Sequence, residues 1–183
     1  MKIVAKTDQG KIRKDNQDSF AAGELPGGVV WAVVCDGMGG AAGGSVASQT
    51  AVKMISEKIA SGYQYGMSDK SIKNLLTSVV ESANSSIYEM SCSVESLNGM
   101  GTTVVVSVIR DKELYLVHAG DSRAYRVTKD SITQLTRDHS VVQDMVEHGE
   151  LTEEQAKAHP RKNIITRALG VSAEIGRRYY HLH

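Results

Sequence analysis

Only two of the 183 residues are cysteine, Cys35 and Cys92, which excludes a disulfide-stapled scaffold and points to a reducing, cytoplasmic compartment. Net charge is missing too, because 21 basic side chains balance 21 acidic ones. With no field to gather a polyanion, neither nucleic acid nor a membrane surface is an expected partner. No segment joins a basic start to a long apolar run, so no targeting or membrane-spanning segment is expected. Repeats, low-complexity tracts and domain linkers are absent as well. A hydrophobic content of 41% over this length supports one core, hence a single soluble domain across residues 1–183, expected as a monomer.

Two catalytic classes are missing their signatures. A cysteine-based phosphatase needs thiolate and arginine on one phosphate loop at C-x5-R spacing, yet Ala41 stands six positions after Cys35 and Asn98 six after Cys92. The P-loop pattern G-x-x-x-x-G-K-[ST] is also absent, which removes the common nucleotide hydrolases.

What is present centres on Val29 to Gly44, VVWAVVCDGMGGAAGG. Its opening apolar run, rich in β-branched residues and without polar alternation, predicts a strand covered on both faces. Asp36 then falls at the rim, beside Gly37, Gly39 and Gly40, which leave the backbone bare for a hydrated ion or a phosphate. Gly37 to Ala42 also matches the dinucleotide fingerprint G-x-G-x-x-G/A, with Glu57 about 20 residues on. A carboxylate directly before the first glycine argues against a pyrophosphate, since two unit charges ~4 Å apart repel by roughly 4 kcal/mol at an effective dielectric of 20. A divalent cation reverses that sign, and Mg²⁺ or Mn²⁺ takes carboxylate, carbonyl and water oxygens. An Asp-Gly turn with no ligand at all is the third reading.

Along the chain, Lys2 to Asp8 and Gln17 to Ala22 read as strands, with the turn Leu25-Pro26-Gly27-Gly28 after them. Arg13 and Asp18 flank the second of these; an arginine binds phosphate bidentately, and a carboxylate five residues on can face a metal, unless the two form a surface ion pair. From Ser45, Ala47, Ala51, Met54, Ile55, the Lys58 stem and Ile59 recur at helical spacing, and a second stripe runs from Ile72 to Met90. Two successive amphipathic helices argue for a helical hairpin on a sheet and against strand-helix-strand alternation.

Met100 to Ile109, Glu113 to His118, Ala124 to Val127 and Ser131 to Leu135 then read as antiparallel strands with short turns. Gly120-Asp121-Ser122-Arg123 places a second carboxylate in a small-residue turn at a strand end. Two such carboxylates meeting at one edge would need cations. His118 reads as a satisfied sheet histidine. Asp138 and His139 read either as an acid-base dyad or as a helix cap beside a solvated histidine. Val141 to Gly149 is a polar helical segment, Thr152 an N-cap, and the irregular stretch around His159-Pro160 and Ile164 to Leu169 is where a lid would lie. Arg177 to His183 reads as a last strand.

Taken together, Arg13 before NQD, then CDGMGG, GTT at Gly101 to Thr103, GDSR at Gly120 to Arg123 and TRDHS at Thr136 to Ser140 follow the order and spacing of metal-dependent protein phosphatases of type 2C, the PPM family. The chain closely resembles a bacterial member across nearly its whole length. The resemblance implies an α+β fold, an α-β-β-α sandwich of two antiparallel sheets flanked by helices, and a centre of two Mn²⁺ or Mg²⁺ ions with a possible third. It implies dephosphorylation of phosphoserine and phosphothreonine proteins, with a Ser/Thr kinase as a natural counterpart. Asp36 matches the carboxylate bridging two metals, Gly37 the residue whose carbonyl oxygen binds one, and Asp18 the acidic residue beside the pair. Arg13 matches the phosphate-binding arginine and Asp121 a ligand of the third metal, while a metal-activated water attacks phosphorus.

Three departures from the family pattern accompany the match. Gln17 stands where many relatives have glutamate, and Met38 where eukaryotic relatives carry a histidine proposed as general acid. The family also supplies two further metal aspartates from a serine-aspartate-glycine motif and a late aspartate-asparagine pair, and these 183 residues end before either. They are therefore expected to be about the first three quarters of the domain, with weak metal binding and little activity. The rival role is an inactive phosphatase-like binding or regulatory domain.

Overall fold

A computed structural model describes residues 1–40 and 43–182. Ala41 and Ala42, the last two positions of the dinucleotide fingerprint, and His183 at the end of the final expected strand lie outside the described residues. The elements follow as β1 (Asp18–Leu25), β2 (Val29–Met38), α1 (Gly43–Gly62), α2 (Asp69–Ser93), β3 (Gly101–Thr102), β4 (Val104–Arg110) and β5 (Glu113–Ala119). After these come β6 (Tyr125–Val127), β7 (Ile132–Gln134), α3 (Val141–Glu147), α4 (Glu153–Ala158) and β8 (Arg178–Leu182).

Strands β1, β2, β4, β5 and β8 lie side by side in that order, every pairing antiparallel, with the short β3 added to the end of β2. Strands β6 and β7 form a separate two-stranded antiparallel sheet. The α+β class with antiparallel sheets is therefore observed. Among the described residues its second sheet is that narrow ribbon. Antiparallel pairing on both sides of β2, with two helices before the next strand, also rules out the parallel βαβ unit that the dinucleotide fingerprint requires.

The helical hairpin forms as its periodicity predicts. In α1, Ala47, Ala51, Ile55 and Ile59 recur every fourth position and are wholly buried; in α2, Ile72, Leu76, Val79, Val80, Ala83 and Ile87 are buried too. Ser68 caps α2, its hydroxyl oxygen accepting the Ser71 N–H at 3.2 Å. These stripes join a core with one sheet face, Val29, Trp31, Val33, Cys35, Val104, Val106, Val108, Tyr115 and Val117. Each fully buried Ile or Leu contributes about 1.5–3 kcal/mol. Lys58 is the exception in the expected stripe, since it points to solvent.

Three expectations are corrected. Strand β2 is not covered on both faces: Val34, across from the core face, is 47% exposed. Lys2 to Asp8 forms no strand, and Val4 is 80% exposed. Its apolar residues Ile3 and Val4 are adjacent, so in a strand they would point to opposite faces and could not share one. The run from Met100 is also broken at Thr103, between β3 and β4. The cysteines are both free, as expected, and among the described residues no helix is long and apolar enough to cross a membrane.

Candidate metal centre

The antiparallel register sets Asp18 opposite Asp36, because β1 begins where β2 approaches its end. Like charges directly across an antiparallel pair are unfavourable unless something compensates them. Asp121 arrives from the turn after β5, and Arg13 from the polar segment before β1. All four line one open cleft of about 550 Å³ at the sheet edge, and Gly37 lines it with them. Arg13, Asp18, Asp36, Gly37 and Asp121, the five residues singled out by the resemblance, thus line one cleft.

The Asp36 carboxyl is pushed up from 3.8 to about 6, first by burial and then by the charges of Asp18 and Asp121 and a hydrogen bond with Asp18. Arg13 pulls in the opposite direction. Asp36 therefore sits in an anionic pocket that one guanidinium does not neutralise.

Its backbone is anchored from the far side by Thr103, a motif residue to which the sequence assigned no role. The Asp36 N–H donates to Thr103 Oγ1 at 2.9 Å, and the Thr103 N–H donates back to the Asp36 carbonyl oxygen at 2.9 Å. Thr102 Oγ1 donates to that same oxygen, also at 2.9 Å. Thr103 Oγ1 lies 2.6 Å from Ser122 Oγ, so one hydroxyl ties the Asp36 strand end to the Asp121 turn. The break in the β-branched run at Thr103 makes this link possible.

Gly37 is required by packing. Its N–H donates to the Gln17 carbonyl oxygen at 3.1 Å, and an added Cβ would stand 2.1 Å from the Gly44 carbonyl oxygen at the start of α1. The end of β2, the residue before β1 and the first turn of α1 therefore meet backbone to backbone. Gln17, in the position of the family glutamate, lines the cleft and donates its side-chain N–H to the Gly40 carbonyl oxygen at 3.3 Å, bracing the glycine turn.

Both readings of the Asp138-His139 pair are overturned. Asp138 binds Arg123 through both oxygens, Nε to Oδ1 at 2.9 Å and Nη2 to Oδ2 at 2.7 Å. His139 is not solvated: it is 3% exposed and stacked on His118, with ring centroids 4.5 Å apart. Burial above all pushes its pKa down to about 3, so it is neutral and lacks the extra proton that an imidazolium would donate. The cap of α3 is Ser140, whose Oγ accepts the Gln143 N–H at 3.2 Å. His118 is buried in the sheet, its pKa lowered chiefly by burial, with Nε2 hydrogen-bonded to the Gly120 carbonyl oxygen at 2.8 Å; the expected satisfaction is only half met, because Nδ1 has no partner among the described residues.

The helix start at Thr152 is as expected, completed by Gln155 as a capping box. The irregular segment beyond it reaches the cleft, where Asn163 and Ile165 form part of the wall. It is tied down by the Thr166 N–H to the His139 carbonyl oxygen at 2.8 Å and the Val141 N–H to the Ile164 carbonyl oxygen at 2.9 Å.

The donor chemistry of the cleft suits a hard cation: carboxylates, amides and a hydroxyl line it, and neither cysteine nor histidine does. Another potential ligand group, Asp69, Glu113 and His181, lies away from this cleft. Its carboxylates are already held by Arg110, whose Nη2 is 2.6 Å from Asp69 Oδ1 and 3.1 Å from Glu113 Oε2. The first group is short of positive charge; the second is supplied with it.

An antiparallel α+β fold with an oxygen-lined acidic cleft at its sheet edge defines the class. Residues 11–171 match the family model of Protein phosphatase 2C, and the chain belongs to that family. Among its curated relatives, "Serine/threonine phosphatase stp" of Listeria innocua is 36% identical over 170 residues, covering 93% of this chain and 67% of the relative. "Protein phosphatase PhpP" of Streptococcus pneumoniae is 34% identical over 175 residues, covering 96% of this chain and 70% of the relative. Of the solved structures, the S. agalactiae serine/threonine phosphatase superposes with a TM-score of 0.89 at 34% identity, covering 97% of this chain and 72% of that one. The Mycobacterium tuberculosis serine/threonine phosphatase PstP/Ppp gives 0.84 at 32% identity, covering 97% and 71%.

Proposed function

We propose that this chain removes phosphate from phosphoserine and phosphothreonine in proteins, with Asp18, Asp36 and Asp121 holding two or three Mn²⁺ or Mg²⁺ ions. The observation that carries the reading is the shared cleft, in which burial and two neighbouring carboxylates push the Asp36 carboxyl up to about 6 beside Arg13. Gly37 offers a carbonyl oxygen as a further hard ligand. When bound, such ions lower the pKa of a coordinated water toward neutrality and so supply the nucleophile.

The chain's own residues then bind, orient and exclude. Arg13 pairs with the nonbridging phosphoryl oxygens, a geometry that a planar guanidinium matches bidentately. Among the described residues the one hydroxyl on the cleft wall, Thr103 Oγ1, is engaged by Asp36 and Ser122, so no hydroxyl side chain competes as nucleophile. Met38 at the rim has no proton to give, which leaves protonation of the departing serine or threonine oxygen to solvent. The relatives' names, a serine/threonine phosphatase and a protein phosphatase, support phosphoproteins as the substrate class; a Ser/Thr kinase as the opposing activity and a cytoplasmic location belong to the same proposal.

The test is hydrolysis of a phosphothreonine peptide by the 183-residue chain at millimolar Mn²⁺. Weak turnover that disappears in EDTA and in Asp36→Asn, with the fold retained, is the expected result. Phosphopeptide binding without turnover, indifferent to EDTA and to the substitution, would assign a binding or regulatory role instead.

A further inference from the structure

The turn that presents Asp121 is held by residues outside the cleft. Strand β5 ends at Ala119, and Gly120 adopts φ +111°, with its hypothetical Cβ only 2.6 Å from Thr103 Cγ2. Both polar atoms of Gly120 are gripped by a pair of buried histidines. His118 Nε2–H donates to the Gly120 carbonyl oxygen at 2.8 Å, and the His139 backbone N–H reaches the same oxygen at 2.9 Å. From the other side, the Gly120 N–H donates to His139 Nδ1 at 3.2 Å.

The two rings stack with centroids 4.5 Å apart and planes 20° from parallel, so each fixes the orientation of the other. Arg167 Nη1 stands 3.3 Å from His139 Nε2, opposite the ring nitrogen that faces Gly120. A neutral imidazole accepts at one nitrogen only, so with Nδ1 taking the Gly120 N–H the ring proton sits on Nε2 and Arg167 is a cationic neighbour rather than a donor to the ring; a ring protonated on both nitrogens would turn an N–H against the Gly120 N–H. Burial and these neighbours push its pKa down to about 3, which keeps the Nδ1 lone pair available to Gly120.

Core filling does not explain the pair. His118 Nδ1 is buried without a hydrogen-bond partner among the described residues, a cost that an aliphatic side chain of similar volume would avoid. What the imidazoles add over an aliphatic pair is a hydrogen-bond donor and an acceptor directed at the two polar backbone atoms of one residue, which belong to successive peptides.

We propose that His118 and His139 are positioning residues that clamp the Gly120 backbone between them and so aim the Asp121 carboxylate at a divalent cation in the cleft. The inference rests on Asp121 being a metal ligand. Residues that orient a ligand in this way typically carry roughly 10–100-fold in metal affinity.

The experiment counts Mn²⁺ bound to the whole chain by electron paramagnetic resonance. It compares wild type with Asp121→Asn, His139→Ala, His139→Asn and His139→Gln, and circular dichroism confirms each fold. The expected result is that Asp121→Asn removes one class of Mn²⁺ site. His139→Ala weakens that class by roughly 10–100-fold and leaves the other sites unchanged. Asparagine, whose side-chain oxygen takes the place of Nδ1 and can accept the Gly120 N–H, restores affinity to within about threefold of wild type, whereas glutamine, which places its polar group at Nε2, does not. Should His139→Ala fail to fold, the asparagine and glutamine variants decide, and equal affinities in those two overturn the clamp. A folded His139→Ala chain that binds like wild type while Asp121→Asn has lost its site also overturns the clamp and leaves the metal reading standing. Full Mn²⁺ binding by Asp121→Asn, or none by wild type, defeats the metal reading itself and the clamp with it.

Discussion

Replacing Asp36 by asparagine should stabilise the metal-free protein while abolishing its response to Mn²⁺. The carboxyl rises from 3.8 to about 6 in the fold, so between those pH values the native state binds more protons than the unfolded chain. Stability of the metal-free protein therefore falls as pH rises through that window, and above about pH 6 the whole cost is present. At 1.36 kcal/mol per pK unit, the displacement bounds the cost at about 3 kcal/mol. Asp36 is substantially solvent-exposed, and screening reduces the figure to about 1 kcal/mol. For a chain of this length, that corresponds to a rise in melting temperature of about 2–4 °C. Asparagine keeps the shape and the backbone contacts to Thr103 while removing the charge. Thermal melts in EDTA at pH 7.5 and again near pH 4 provide the assay. The variant should melt higher at the first pH and close to wild type at the second, where the carboxyl is largely protonated in the fold. Saturating Mn²⁺ should then reverse the order, since a ligand at 100 times its dissociation constant adds about 2.7 kcal/mol to the protein that binds it. A variant that melts lower than wild type in EDTA, or one that gains as much from Mn²⁺, would show that Asp36 is not an uncompensated ligand carboxylate.

Three further outcomes follow from the same geometry. Gly37→Ala forces a methyl to within 2.1 Å of the Gly44 carbonyl oxygen, and urea unfolding should register a loss of about 3 kcal/mol, because both partners are backbone. Thr103→Val removes the acceptor of the Asp36 N–H and the link to Ser122; a loss of about 1–3 kcal/mol is expected, with Mn²⁺ affinity weakened more than in a control substitution of equal destabilisation. Below about pH 6, protons compete with the cation for Asp36, so the Mn²⁺ dissociation constant from titration should rise by up to about tenfold per pH unit, and a flat profile down to pH 5 would exclude Asp36 from the ligand set.

Much of the molecule was legible from local pattern. The helical stripes of α1 and α2 declare themselves through spacing near 3.6 residues, because one apolar face of each must meet the sheet. Asp36 before a glycine run at a strand end, and Asp121 in a second small-residue turn, marked the cleft for a short-range reason: an oxygen donor beside bare backbone is visible in a few consecutive letters. Where the pattern misled, the cause was a partner remote in sequence. Periodicity could not tell that Val34 would face solvent, since that depends on what covers the outer side of the sheet. Asp138 next to His139 read as a dyad or as a helix cap beside a solvated histidine until Arg123 claimed the first and the fold buried the second.

By itself the sequence determined the kinds of oxygen donor available, their places at strand ends, and the two helices that make an antiparallel layered fold the economical solution. Only the tertiary structure decided that Asp18 stands across from Asp36, that Thr103 joins the Asp36 and Asp121 turns, and that two histidines grip Gly120. Register and long-range hydrogen bonds come from how the whole sheet packs, and no local stretch of chain encodes a distance to a residue it has yet to meet.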